Sequence, residues 1–178
     1  MTDSELDTLF CRYESPMGLM LLTSRGEAVT GAWFSGQKHF PAHPHGHEGY
    51  SEVLALCCGW LQKYFLGVPA EITFPLEPDG TAFQRQVWEL LRQIPRGETV
   101  TYGALALRLE KCRGVRSSAR AVGGAVGRNP ISILIPCHRV VGADGSLTGY
   151  AGGLERKRAL LALEQGSGSE SFAGSRTN

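Results

Sequence analysis

Apolar and polar positions change period along the chain, and the changes mark its elements. Phe10 to Glu14, Leu19 to Thr23 and Ala28 to Phe34 read as three short strands. They are separated by turn signals at Ser15-Pro16-Met17-Gly18 and Arg25-Gly26, which predicts a β-meander. Residues 35–49 form a loop rich in Gly, Pro and His. Helical spacing then takes over. Ser51 caps a helix running to about Phe65, with Val53, Leu54, Cys57, Leu61, Tyr64 and Phe65 as its apolar stripe. Gly67 ends it, Glu71 to Phe74 reads as a short strand, and Pro75 to Gly80 as a linker. Thr81 and Gln84 match a capping box, and Phe83, Val87, Leu90, Leu91 and Ile94 keep helical register until Pro95-Arg96-Gly97. Val100-Thr101 leads into a helix from Tyr102 to about Leu109. After a basic turn (Lys111, Arg113, Arg116), Ser117 or Ser118 caps another helix running to about Gly127. Ile131, Ile133 and Ile135 alternate with Ser132 and Leu134, predicting a buried strand that Pro136 stops. Asp144-Gly145 marks a turn between Val140-Val141 and Leu147, and Leu154 to Gln165 is the last helix.

This division predicts an N-terminal unit with its linker over 1–80, a C-terminal unit over 81–165 and a Gly/Ser-rich, disordered tail over 166–178. Charge also divides the chain, at about residue 100. Net charge is only +1, but residues 1–100 hold 7 basic and 12 acidic side chains, whereas residues 101–164 hold 10 basic and 4 acidic. A basic C-terminal half in a near-neutral chain points to a partner carrying phosphates. No apolar run reaches membrane-spanning length, and the acidic Met1-Thr2-Asp3-Ser4-Glu5 start lacks the order of a signal peptide. Five cysteines without CxxC spacing fit free thiols in a reducing cytoplasm. His39, His43, His45 and His47 lie close in sequence, but no element fixes their geometry, so a solvated loop is expected rather than a metal site.

Candidate chemistry centres on Ile135-Pro136-Cys137-His138-Arg139-Val140-Val141, where a cysteine is placed at the end of an apolar run, next to a histidine. Alone, a Cys-His pair reads as a buried cysteine beside a surface histidine. Two further features change that. Glu164 shares a helix face with Leu154, Lys157 and Leu161, so it is either a solvated carboxylate at a frayed end or a partly buried acid facing His138. The segment Ala119-Arg120-Ala121-Val122-Gly123-Gly124-Ala125-Val126-Gly127 is almost all small residues with one large cation. Glycines within a helix cost about 1 kcal/mol each. They serve either close packing in the core or a smooth face against a nucleic-acid groove.

Asn129-Pro130, Pro136-Cys137-His138-Arg139-Val140, Tyr150-Ala151-Gly152-Gly153-Leu154 and Arg120-Ala121-Val122-Gly123 together resemble the O6-alkylguanine-DNA alkyltransferases. The resemblance is dense from about Phe83 to Glu164 and looser before it. It implies an α/β protein, with an N-terminal RNase H-like domain followed by a mostly helical, winged helix-turn-helix-like domain. It also implies transfer of the alkyl group of O6-alkylguanine, and of O4-methylthymine, in duplex DNA onto the protein's own Cys137, once and without a cofactor; the sequence shows no zinc ligand set of the kind some members carry.

By the same resemblance, His138 activates Cys137 through a bridging water, Glu164 holds the imidazole, and Asn129 holds the Cys137 loop. Tyr102 donates to guanine N3 and the Ala151 N–H to O6, while the carbonyls of Cys137 and Val140 accept from the exocyclic amine. Tyr150 and Val126 line the alkyl pocket, and Lys157 lies near the loop. The helix carrying Ala121 and Gly123 enters the minor groove, Arg120 fills the space left by the flipped base, and the protein acts as a cytoplasmic monomer. The turn from Glu110 to Ser118 is about four residues longer than the usual form. Ser132 stands where some members have proline, which hints at a roomier pocket. Three rivals fit less well. Non-catalytic relatives lack the cysteine, a redox-sensing regulator needs a polar reading helix, and a cysteine hydrolase would turn over.

Overall fold

The computed structural model describes residues 8–42, 46–114 and 116–166. Residues 167–178 of the expected tail and two members of the histidine loop, His43 and His45, lie outside them. The N-terminal meander forms as expected: β1 (Thr8–Ser15), β2 (Gly18–Arg25) and β3 (Ala28–Phe34) are antiparallel neighbours, and the two-residue β4 (His47–Glu48) pairs in parallel with β1. Helix α1 (Glu52–Phe65) lies on this sheet, started by the Ser51 hydroxyl, which accepts from the Leu54 N–H at 3.3 Å. Val53, Leu54, Cys57, Leu61 and Tyr64 of α1 are buried with Met20, Leu22 and Phe34 of the strands. Cys57 and Cys58 are helix residues, the first buried and the second half-buried.

The second half is helical. Helix α2 (Ala82–Arg92) carries the expected capping box: Gln84 N–H donates to the Thr81 hydroxyl at 3.2 Å, and Thr81 N–H to Gln84 Oε1 at 2.8 Å. Strand β5 (Val100–Thr101) runs into α3 (Tyr102–Arg113), and Ser118 rather than Ser117 caps α4 (Ala119–Gly127). Helix α3 goes four residues beyond the expected Leu109 and closes on Gly114 in the left-handed conformation (φ 67°). Much of the long turn is thus wound into one more helical turn. Trp88 fixes α2 to α4, its indole N–H donating to the Ala125 carbonyl at 2.8 Å. Strand β6 (Val140–Val141) and helix α5 (Leu154–Glu164) complete the chain. The described architecture is a mixed α/β fold with a sheet and five α-helices.

Three strand expectations fail. Glu71 to Phe74 is not a strand; the contact comes slightly later, where Leu76 bridges Val29. Val140-Val141 does not form a hairpin with Leu147. The turn at Asp144-Gly145 is present, but β6 pairs in parallel with β5. Nor are residues 131–135 a strand. All five are buried, so the alternation of isoleucines has no solvent face to report. The segment is a tight loop, with Ser132 bridging Ile135 and Ile133 at φ 72°.

That loop joins the two halves. Ala32 N–H donates to the Pro130 carbonyl at 2.9 Å and Ser132 N–H to the Ala32 carbonyl at 2.8 Å. On the same strand, Val29 exchanges bonds with Pro75 and Glu77. The free edge of β3 is therefore covered, and the loop that leads to Cys137 is anchored on the N-terminal sheet.

Candidate active site

Cys137 begins a single 3₁₀ turn, Cys137–Arg139, instead of ending a strand. Its thiol is buried. Asn129, also buried, organises the approach. Its Nδ2 donates to the Ile135 carbonyl at 2.8 Å, to Cys137 Sγ at 3.1 Å and to the Ile131 carbonyl at 3.3 Å, while its Oδ1 accepts from the Ile131 N–H at 3.0 Å. One amide thus closes the loop and touches the sulfur. Burial raises the Cys137 thiol above its usual pKa, and the Asn129 hydrogen bond and the Lys157 charge offset this in part. The resting group is a thiol, so its ionisation requires a base.

His138 is completely buried, and burial lowers its pKa despite the opposing pull of Glu164. The imidazole is therefore neutral near pH 7. Its Nε2 lies 2.7 Å from Glu164 Oε1. An ionised carboxylate only accepts, so Nε2 carries the proton and Nδ1 the free lone pair. Nδ1 is buried and has no hydrogen-bond partner among the described residues.

Glu164 is the buried acid rather than the frayed end, and it is gripped from several sides. Oε1 accepts from His138 Nε2, from the Tyr64 hydroxyl at 2.7 Å and from Arg139 Nη2 at 2.9 Å. Oε2 accepts from Arg139 Nε at 2.9 Å and from the Gly97 N–H at 3.2 Å. Burial pushes the carboxyl up, but the hydrogen bonds from His138 and Arg139 prevail and hold it far below the usual range. Tyr64 and Arg139 had no assigned role in the sequence. Tyr64 belongs to a helical apolar stripe, where a tyrosine is indistinguishable from core filler. The charge of Arg139 was visible, but its partner was not.

Of the remaining expected residues, Gly123, Tyr150 and Ala151 line a cleft, and Tyr102, Lys157, Val140 and Val126 do not. Tyr150 is buried, with its ring edge-on to His138 at 6.5 Å. With Ala151, Gly124, Gly127, Lys38 and His39 it lines a cleft of about 520 Å³. The Ala151 carbonyl accepts from the Lys38 N–H at 3.0 Å, so the N-terminal loop holds the glycine-rich loop. Tyr102 is half-buried and its hydroxyl donates to the Thr148 carbonyl at 2.9 Å. Gly149, in the left-handed conformation (φ 70°), leaves room for that hydroxyl; a Cβ there would lie 2.8 Å from it. Lys157 is fully buried, and burial lowers its pKa to about 8. Its ammonium donates to the Thr148 carbonyl at 2.7 Å and to the Val140 carbonyl. Val140 and Val126 are core residues, and Val126 is not among the residues lining the cleft.

Helix α4 shows why its residues are small. A methyl group added at Gly124 or Gly127 would meet no atom within 4 Å, and at Gly123 only the Tyr102 ring at 3.6 Å, an ordinary contact. Close packing inside the protein does not require these glycines. Ala119, Arg120, Ala121 and Gly124 are exposed, and Arg120 has no partner among the described residues.

Fold and site together describe a class: a thiol protein that combines a buried cysteine and a histidine–carboxylate pair with an open helix carrying an exposed cation. A family model described as 6-O-methylguanine DNA methyltransferase, DNA binding domain, matches residues 82–166. The methylated-DNA--protein-cysteine methyltransferase of Haemophilus influenzae is 46% identical over 154 residues, covering 86% of this chain and 84% of that protein. The one from Mycolicibacterium paratuberculosis is 43% identical, covering 85% and 89%. The crystal structure of Mycobacterium tuberculosis OGT in complex with DNA is 40% identical, with a TM-score of 0.80 over 89% of this chain and 94% of that one. This chain belongs to the methylated-DNA--protein-cysteine methyltransferases.

Proposed function

We propose that this protein repairs alkylated DNA directly, with Cys137 Sγ as the acceptor of the alkyl group from O6 of guanine. The observation that carries the assignment is the His138–Glu164 pair at 2.7 Å. It fixes the proton on Nε2 and leaves Nδ1 as a base in a cysteine-adjacent, buried position. The reaction is displacement at an sp3 carbon, which favours a soft, ionised nucleophile. His138 Nδ1 takes the Cys137 proton, through a water, and Glu164 stabilises the imidazolium that forms. The S–C bond forms as the O6–C bond breaks, and the electron pair of that bond leaves with guanine, which is protonated to its ordinary form. The thioether is stable, so each molecule acts once.

Helix α4 supports a DNA-facing role, because Gly124 is exposed, Gly124 and Gly127 have open space beside them, and Arg120 has no partner among the described residues. A small-residue face suits the minor groove, with Arg120 occupying the space of a nucleotide turned out of the stack. That base enters the cleft between α4 and the Tyr150–Ala151 loop. There, Ala151 N–H and a Tyr102 hydroxyl turned from Thr148 stabilise the leaving guanine, and Asn129 and Lys157 hold the floor. The N-terminal unit, residues 1–80, is RNase H-like and the unit over 81–165 a winged helix-turn-helix variant; the meander under α1 and the α3–α4 pair support this reading.

The decisive experiment is intact-mass spectrometry after mixing the protein with a duplex carrying one O6-methylguanine. One methyl group per protein, mapped to the Cys137 peptide and lost in Cys137→Ala, is the expected result. A methyl group on another residue would overturn the assignment.

A further inference from the structure

Helix α1 belongs to the N-terminal half, yet one of its side chains reaches the carboxylate that holds His138. The Tyr64 hydroxyl lies 2.7 Å from Glu164 Oε1 and 3.5 Å from His138 Nε2. Its ring is set by three neighbours: Trp60 stacks on it with centroids 5.3 Å apart, Phe65 meets it edge-on at 5.4 Å, and the Arg96 guanidinium lies 4.9 Å from its centroid. A phenol so clamped has little freedom to turn its hydroxyl elsewhere.

We propose that Tyr64 is a positioning residue of the transfer reaction, whose hydroxyl shares Glu164 Oε1 with His138 and limits how strongly that carboxylate can pull a proton onto the imidazole. The inference rests on His138 acting as the base for Cys137. The chemistry is a competition for one oxygen. Each donor on Oε1 draws electron density from it. Tyr64 and Arg139 Nη2 both do so, which weakens the carboxylate's preference for imidazolium over imidazole. His138 thus remains neutral, with Nδ1 free to accept, until the Cys137 proton arrives. Tyr64 can only donate here, because burial and the neighbouring Glu164 charge push its own ionisation far above the working range. Among the described residues, the titratable and charged groups facing His138 are Glu164 and Lys157 of α5, Tyr64 of α1, Arg139 of its own turn, and Tyr150 of the following loop. Among these, Tyr64 is the one contributed by the N-terminal half, so that half takes part in the chemistry and not only in the fold.

The test is the pH dependence of single-turnover benzyl transfer from free O6-benzylguanine, which removes DNA binding from the measurement. Tyr64→Phe keeps the ring and deletes the donor. Its acidic midpoint should move upward by about half a pH unit, roughly a threefold change in the His138 equilibrium. Placing 3-fluorotyrosine at position 64 alone makes a stronger donor and should move the midpoint down. NMR titration of the His138 ring, assigned with His138→Gln, reads the same shifts without requiring transfer and decides the matter should Tyr64→Phe react too slowly to follow. Unmoved midpoints in both variants overturn the proposal, as does a loss of rate that is uniform across pH, which is the signature of packing alone. Failure of the underlying reading is distinguishable, since the wild-type protein would then carry the benzyl group on a residue other than Cys137.

Discussion

Glu164 concentrates five hydrogen bonds on two oxygens, and its energetic role follows from that. The carboxylate balances Arg139 and orients His138, so Glu164→Gln removes the charge and presents an NH₂ to groups that all donate. The Arg139 guanidinium, only 11% exposed, loses its counter-charge and keeps only the Ile94 carbonyl. A stability loss of about 3 kcal/mol is expected by analogy with broken buried pairs, and transfer should slow by about 10²-fold or more. Chemical denaturation and single-turnover kinetics check the two effects; an unchanged transfer rate would remove Glu164 from the relay. Acid should act in the same direction. The folded pKa of His138 is lowered, so its contribution is present above its unfolded value, about 6.5, and is lost as pH falls towards the folded value. Glu164 is likewise depressed; its contribution is present above about 4.3 and is lost below that. Wild-type stability should therefore fall in two stages on acidification, and Glu164→Gln should lack the second. Denaturant midpoints measured across pH report both stages.

At the scale of elements, the loop from Asn129 to Cys137 shows how one side chain can replace a strand. Ile133 adopts φ 72°, which a β-branched residue rarely does, and such strain persists only where the surroundings over-determine it. Asn129 supplies much of that determination. Asn129→Ala leaves the Ile131 N–H without a partner and removes one of two donors from the Ile135 carbonyl, which keeps the Cys137 N–H, at a cost of about 1–3 kcal/mol. The melting temperature should drop by roughly 2–4 °C for each kcal/mol lost, and transfer should slow because Cys137 loses its support. A melting temperature equal to that of the wild type would show that the loop is held by other means. The same loop explains what the sequence concealed. The five described helices were all located, three of them by an apolar stripe, and Ser51 and Thr81 marked two of the starts, because a helix with one wet face writes its period into the chain. Ile131 to Ile135 is buried on all sides, so its alternation carried no such information. The parallel β5–β6 pair was equally hidden: its two strands have two residues each, 40 positions apart, and are paired by tertiary packing rather than by local pattern.

Across the whole molecule, the site is assembled from both halves, which sets what the sequence could disclose. Cys137, His138 and Asn129 lie within ten residues, and Glu164 was visible as an acid on a leucine face. Tyr64 was not, because it lies 100 residues from the carboxylate it meets. The division of charge, acidic before Thr101 and basic after, places the cationic surface on the half that carries α4. Arg120 is the residue on which this arrangement can be tested. It is exposed, unpartnered among the described residues, and on a helix whose glycines are unconstrained by packing. A role in filling the stack operates only when a base must be extruded, at a few kcal/mol. A role in the chemistry would operate for any substrate. Arg120→Ala should therefore slow transfer from O6-methylguanine in duplex DNA by about tenfold or more, equivalent to about 1.4 kcal/mol. Transfer from free O6-benzylguanine should stay within about twofold of the wild type, since small surface changes away from the site alter energies by only about 0.5 kcal/mol. Parallel single-turnover measurements on the two substrates separate these outcomes. Equal losses on both would mean that Arg120 acts on the site itself, and the extrusion role would then need another residue of α4 or of the basic turn before it.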